Sequence, residues 1–130
     1  MVRLLAVAAV MLVGAGCAAP KEGEGCSSTG FVCGDGAAAL ECSPTSKKWV
    51  KIPCRGANGC KREVDPNTKA DIIRCDISSA VEGDGCASNS EGKGLCTSDG
   101  KAALECRGST LTKLYDCTSC FVDGGTVVCK

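Results

Sequence analysis

The chain has 130 residues and carries 15 basic and 15 acidic side chains, so its formal net charge is zero. This balance provides no basic surface for nucleic acid, and we predict no nucleic-acid partner. Histidine is absent and 13 residues are cysteine, which excludes Ser-His and Cys-His catalytic pairs and favours a small fold stabilised by disulfides. We therefore predict that the protein is not an enzyme and that it binds neither a cofactor nor a metal ion.

The N-terminal segment predicts an export signal. Arg3 precedes an uncharged apolar run of about ten residues, whereas a membrane-spanning helix needs roughly 20. The run is followed by the small residues Ala15 and Gly16 and then by Cys17. We predict a signal peptide over 1–16, and the alternative is a signal that is cleaved a few residues further on. Either route leads to an oxidising compartment, in which disulfides persist.

Two parts of the remaining chain repeat one pattern. The sequence EGEGC at 22–26 corresponds to EGDGC at 82–86, and DGAAALEC at 35–42 corresponds to DGKAALEC at 99–106. Each part contains six cysteines, so we interpret the pattern as an internal duplication. The predicted organisation is a tether over 17–21, a first six-cysteine module over 22–76 (repeat 1), a linker over 77–81 and a second six-cysteine module over 82–130 (repeat 2). The linker is short enough for the two modules to touch.

Each repeat is predicted to form a three-stranded meander followed by a C-terminal hairpin. The Asp-Gly pairs at 35–36 and 99–100 predict type I′ turns, and the Ala-Ala-Leu-Glu-Cys segments that follow them predict the middle strands. In the second hairpin of each repeat, the turn is formed by 66–69 or by 124–125. The predicted fold class is small, disulfide-rich and mainly β, with two tandem modules.

The register of the second hairpins predicts two disulfides. Counting outward from each turn sets Cys60 opposite Cys75 and Cys120 opposite Cys129, in pairs whose Cα atoms lie about 4.5 Å apart, which is at the short end of the disulfide range. Six cysteines per repeat allow many connectivities, and the sequence alone does not choose among them. Positions in the meander favour pairing the first cysteine with the third and the second with the fourth, which gives Cys26–Cys42, Cys33–Cys54, Cys86–Cys106 and Cys96–Cys117.

The chain resembles bacterial lipoproteins. Residues 15–17 match the end of a lipobox, although Gly14 stands where that family usually has leucine. Segments 35–42 and 99–106 resemble the repeats of cysteine-rich lipoproteins that are abundant in myxobacteria. The resemblance implies that Cys17 begins the mature chain and carries acyl chains such as palmitate, which anchor it in the outer membrane, facing the periplasm or the cell surface. Secretion is the alternative. The favoured disulfide pairing is also similar to that of epidermal-growth-factor-like modules.

Trp49 is the most prominent candidate for a binding residue. It follows Lys47 and Lys48, and a single exposed tryptophan beside a basic pair is typical of a binding anchor. The alternative is that Trp49 covers the disulfides of repeat 1. The Cys117-Thr-Ser-Cys120 sequence has the form of a redox motif, but the corresponding cysteines of repeat 1 are separated by five residues. We therefore interpret this pair as structural.

These observations predict a non-catalytic, membrane-anchored lipoprotein of the cell envelope. Its repeats would serve in binding, in adhesion or as a structural module, with a protein or a glycan as the partner. The alternative is a secreted or anchored hydrolase inhibitor that presents the constrained loop Pro66–Lys69 to its target.

Overall fold

The computed structural model describes residues 18–34 and 36–130. The predicted signal peptide, Cys17 and Asp35 therefore lie outside the described residues. Within those ranges the protein has ten β-strands and one short 3-10 turn, Ser88–Ser90. The predicted small, disulfide-rich, mainly β fold is confirmed. The same ranges contain no helix that is long and apolar enough to cross a membrane.

Repeat 1 contains the predicted meander and hairpin. Its three-stranded antiparallel sheet is formed by β1 (Phe31–Cys33), β2 (Ala38–Cys42) and β3 (Trp49–Pro53), with β2 in the middle. The hairpin consists of β4 (Cys60–Val64) and β5 (Asp71–Cys75).

Repeat 2 has the same arrangement of strands. A three-stranded antiparallel sheet contains β6 (Gly94–Cys96), β7 (Ala102–Arg107) and β8 (Thr110–Asp116), with β7 in the middle. The hairpin that follows is formed by β9 (Cys120–Asp123) and β10 (Thr126–Cys129). The common strand order supports the interpretation of the pattern as a duplication.

The middle strands form in spite of their helix-favouring composition. Alanine, leucine and glutamate all favour helix in isolation, yet all five residues of β2 are buried. In β7, Ala103, Leu104 and Cys106 are also buried. Small alanine side chains allow neighbouring segments to approach both faces of these strands, so tertiary packing outweighs the local propensity.

The turn before β7 differs from the prediction. A type I′ turn at Asp99-Gly100 requires positive φ at both residues, but only Gly100 has it, at 65°. Thr97 N–H donates to the carbonyl of Ala102, which leaves a four-residue loop over 98–101. The Asp99 carboxylate accepts hydrogen bonds from the Thr97 hydroxyl (2.7 Å) and from Lys101 N–H (2.9 Å). These bonds stabilise the wider loop over a two-residue turn.

Six disulfides join the twelve cysteines of the two repeats, and none crosses from one repeat to the other. The first cysteine of each repeat bonds to the third, as predicted. The second bonds to the fifth and the fourth to the sixth, in both repeats. The bonds are Cys26–Cys42, Cys33–Cys60 and Cys54–Cys75 in repeat 1, and Cys86–Cys106, Cys96–Cys120 and Cys117–Cys129 in repeat 2.

Four of the predicted disulfides are therefore wrong, although the hairpin register behind two of them is correct. Cys60 does lie opposite Cys75, and Cys120 lies opposite Cys129. Opposed residues share one face of a hairpin, and here that face lies against the meander, so each cysteine bonds to the meander instead of to its neighbour. The pairing is consequently not that of epidermal-growth-factor-like modules. The incorrect pairs are Cys60–Cys75, Cys120–Cys129, Cys33–Cys54 and Cys96–Cys117.

Candidate binding cleft between the repeats

The two repeats contact each other through a backbone approach at Gly85. A Cβ atom at this position would lie 2.1 Å from the carbonyl oxygen of Lys51, which is in β3 of repeat 1. Real Cβ atoms do not approach backbone that closely, so the position requires glycine. The corresponding residue of repeat 1, Gly25, has nothing within 4 Å of the same point. Of these two equivalent glycines, only Gly85 lies at the interface between the repeats.

An ion pair joins the repeats beside this contact. Arg55 Nε donates to Asp84 Oδ2 at 2.8 Å, and Arg55 Nη2 donates to Asp84 Oδ1 at 2.9 Å. Val81 N–H donates to the same carboxylate at 3.0 Å. Burial opposes the ionised form of Asp84, which is 5% exposed, but these hydrogen bonds outweigh it and lower the pKa of Asp84 below its ordinary value.

A buried carboxylate forms the second polar contact between the repeats. Glu41, in the middle strand of repeat 1, accepts hydrogen bonds from the backbone N–H of Ser88 at 2.8 Å and from the Ser88 hydroxyl. The corresponding glutamate of repeat 2, Glu105, is half-buried and pairs with Arg107 within its own sheet. Of these two equivalent glutamates, only Glu41 therefore connects the repeats.

An apolar cleft of about 400 Å³ lies between the repeats. Its walls come from both repeats and from the linker between them, and they include Phe31, Ala39, Ile52, Ile73, Ile77, Ala87, Leu95 and Leu111. Asn89, Ser90 and Lys93 contribute the polar groups of the lining. A mostly apolar cavity of this volume with a few polar groups is typical of a binding site.

The residues predicted for binding do not belong to this cleft. Trp49 is half-buried, and its backbone bonds to the segment that enters repeat 1: its N–H donates to Glu24 O at 2.9 Å, and its carbonyl accepts from Gly23 N–H at 2.8 Å. Lys47 and Lys48 are exposed just before β3, where Lys48 forms a β-bridge with Gly25. None of the three lines the cleft.

The sequence indicates contact between the repeats through the short linker, but it gives no signal for the cleft itself, because the cleft depends on how the repeats dock.

The cysteines of the C-x-x-C sequence are not bonded to each other. Cys117 bonds to Cys129, and Cys120 bonds to Cys96. Among the residues that the structure describes, no group of three or more histidine, cysteine, aspartate or glutamate side chains is placed to hold a metal ion.

The Pro66–Lys69 loop is exposed and is closed by hydrogen bonds of its own. The Asp65 carboxylate accepts from Asn67 N–H at 2.7 Å and from Thr68 N–H at 3.0 Å, and Lys69 N–H donates to the Asp65 carbonyl. The hydrogen bonds from Thr68 N–H and Asn67 N–H lower the pKa of Asp65. These N–H groups are therefore not free to pair with another chain.

Comparison with known proteins gives no match. No protein-family model, no curated protein and no solved structure is significantly similar to this chain.

Proposed function

We propose that this protein is an exported, lipid-anchored binding protein of the cell envelope, without a catalytic role. It holds its ligand between two six-cysteine modules, which correspond to 22–76 and 82–130. The observation that carries the proposal is the apolar cleft with walls from both repeats. Docking through Gly85, Asp84 and Glu41 supports a preorganised site, because contacts that fix the walls reduce the ordering cost of binding.

Export is supported by the state of the cysteines. All twelve cysteines of the two repeats form disulfides, and such bonds form and persist in oxidising compartments. They are also needed for stability, since each repeat has a buried cluster of only a few residues. Small domains of this kind depend on disulfides to stay folded.

The anchor is tested by the intact mass of the mature protein. We expect a chain that begins at Cys17 with acyl groups on this residue, and we expect Cys17→Ser to remove the protein from the membrane fraction. An unmodified chain that begins a few residues further on would show that the protein is secreted without an anchor.

The cleft is tested by capture of ligands from the cell envelope with a pair of variants matched in exposure. Ile77 lines the cleft and is 40% exposed, whereas Phe121 is 42% exposed and does not line it. Ile77→Asp places a carboxylate in the apolar wall, so we expect the captured ligand to be lost or reduced at least about tenfold. Phe121→Asp should capture as the wild type does. Equal capture by all three proteins would contradict the proposed site.

The hydrolase inhibitor stays an alternative proposal with less support. An extended inhibitory segment pairs its backbone with the target as an added strand, and the N–H groups of the Pro66–Lys69 loop are already bonded within the loop. Inhibition of any protease class by the intact protein would favour the alternative.

A further inference from the structure

Repeat 2 carries a counterpart of the face that repeat 1 uses for docking. In repeat 1 this face contains Ala39, Ile52 and Ile73, and it packs against Ala87 of repeat 2. Ala39 pairs with Ile52 across the sheet, and Ala103 pairs with Tyr115 in the same way. Ile73 stands two residues before the sixth cysteine of its repeat, as Val127 does in repeat 2. We call the surface formed by Ala103, Tyr115 and Val127 the distal face.

The distal face is open at Tyr115, whereas Ala103 is itself buried. Tyr115 is 64% exposed, whereas its counterpart Ile52 is 4% exposed beneath repeat 2. A hollow of about 550 Å³ lies over Ala103, Leu114, Tyr115 and Val127, and its lining also includes the charged residues Asp116 and Lys130. Leu114 enters this surface because a β-bulge follows Ala103 in the pairing of β7 with β8. An exposed apolar surface that is rimmed by polar residues marks an interaction site.

The segment that would fit this face is also present in the chain. In repeat 2 the entry segment 82–88 docks on repeat 1 through Gly85 and Ser88. The corresponding entry segment 22–28 of repeat 1 is exposed apart from the half-buried Cys26, and Gly25 has open space around it. Ser28 occupies the position of Ser88.

We propose that a second copy of this chain docks its entry segment 22–28 on the distal face. The contact reproduces between two molecules the one that joins the repeats within a molecule, with Glu105 in the position of Glu41. A head-to-tail contact leaves one free surface at each end, so it continues beyond a dimer, either as an open row of molecules or, where the rotation closes, as a ring. This assembly goes beyond the proposed cleft function, because it uses a different face.

The contact between molecules is expected to be weaker than the one within the chain. Thr118 and Glu24 occupy the positions of Arg55 and Asp84, so the ion pair that joins the repeats has no counterpart. Ser27 occupies the position of Ala87, the residue that packs against the face of repeat 1, so this apolar contact is also reduced. The assembly should therefore be reversible in solution. Anchoring would favour it, because confinement raises the effective concentration of the partners.

Sedimentation velocity of the mature chain tests the proposal, with Cys17→Ser to remove the acyl groups. We expect the average mass to rise between about 10 µM and about 1 mM, beyond that of a dimer. Tyr115→Asp should weaken association at least about tenfold by placing a charge on the apolar face. Gly25→Leu should weaken it equally, because its side chain blocks the close backbone approach. Phe121→Asp is the control, since Phe121 is exposed at 42% and lies outside the hollow.

Mixing the two impaired variants gives the sharpest result. Tyr115→Asp retains an intact entry segment, and Gly25→Leu retains an intact distal face, so together they should form a one-to-one dimer that neither forms alone. A monomer at every concentration would overturn the proposal, as would association that both substitutions leave unchanged. Failure of the mixture to associate would overturn it too, because it would show a contact other than head-to-tail. Loss of self-association with ligand capture retained would leave the cleft proposal intact.

Discussion

At the scale of single residues, the duplication shows how context assigns different roles to the same amino acid. Gly25 and Gly85 precede the first cysteine of their repeats, and the sequence does not distinguish them. Glu41 and Glu105 likewise share a motif, but only Glu41 is buried against the other repeat. The sequence predicts the equivalence of these residues correctly. It does not predict their difference, because that difference arises from the docking of one repeat on the other.

Substitution at the two glycines should separate their roles. Gly85→Ala places a Cβ atom against the Lys51 carbonyl, and we expect it to destabilise the docked arrangement by about 1–3 kcal/mol, as is typical of overpacking. Amide hydrogen exchange at Ser88, whose N–H bonds to Glu41, should accelerate correspondingly. Gly25→Ala is the matched control and should change stability by no more than about 0.5 kcal/mol. Equal effects of the two substitutions would contradict the structural assignment of the interface.

At the scale of elements, the sequence predicts the strands well and the bonds between them less well. Turn residues and alternating segments correctly indicate two meanders, two hairpins and the register of Cys60 with Cys75 and of Cys120 with Cys129. Register, however, specifies only which residues are opposite within a hairpin. The disulfide partners depend on what lies against the hairpin, and that is a question of packing between elements.

The turn between β7 and β8 should be stabilised by a glycine. Gly108 and Ser109 both have positive φ, at 57° and 64°, and serine is disfavoured there because it carries a Cβ atom. We expect Ser109→Gly to raise the free energy of unfolding by about 0.5–1 kcal/mol. Ser98→Gly is the control, since Ser98 is exposed and does not have positive φ. Chemical denaturation measures both, and a gain at Ser98 alone would contradict the assignment.

At the scale of the whole molecule, docking of the repeats depends on charge as well as on shape. Asp84 ionises more readily in the folded protein than in the unfolded chain, because hydrogen bonds from Arg55 and Val81 offset its burial. A carboxylate whose pKa is lowered by folding stabilises the fold fully when the pH is above the pKa of the unfolded chain, which is about 4. This contribution is lost as the pH falls through the lower pKa of the folded protein. The interface is therefore sensitive to acid.

The acid dependence should be visible in the thermal midpoint. At pH 7 we expect Asp84→Asn to lower Tm by a few degrees relative to the wild type, and we expect the difference to shrink towards pH 3 and below, where the wild-type carboxyl also becomes protonated. Glu24→Gln is the matched control, because Glu24 occupies the same motif position but its carboxylate accepts a hydrogen bond only from the exposed Lys21 N–H. A difference between Asp84→Asn and wild type that stays constant with pH would show that ionisation of Asp84 does not stabilise the fold.

The way in which each hairpin is fixed has a consequence for how these molecules can diversify. Two disulfides hold the base of a hairpin to its meander, so the tip is not needed to close any bond. The segment between the fifth and sixth cysteines has 14 residues in one repeat and 8 in the other, with the same pairing at its base. Insertions and foreign peptides should therefore be tolerated at the tips, which makes the fold suitable as a scaffold for displayed sequences.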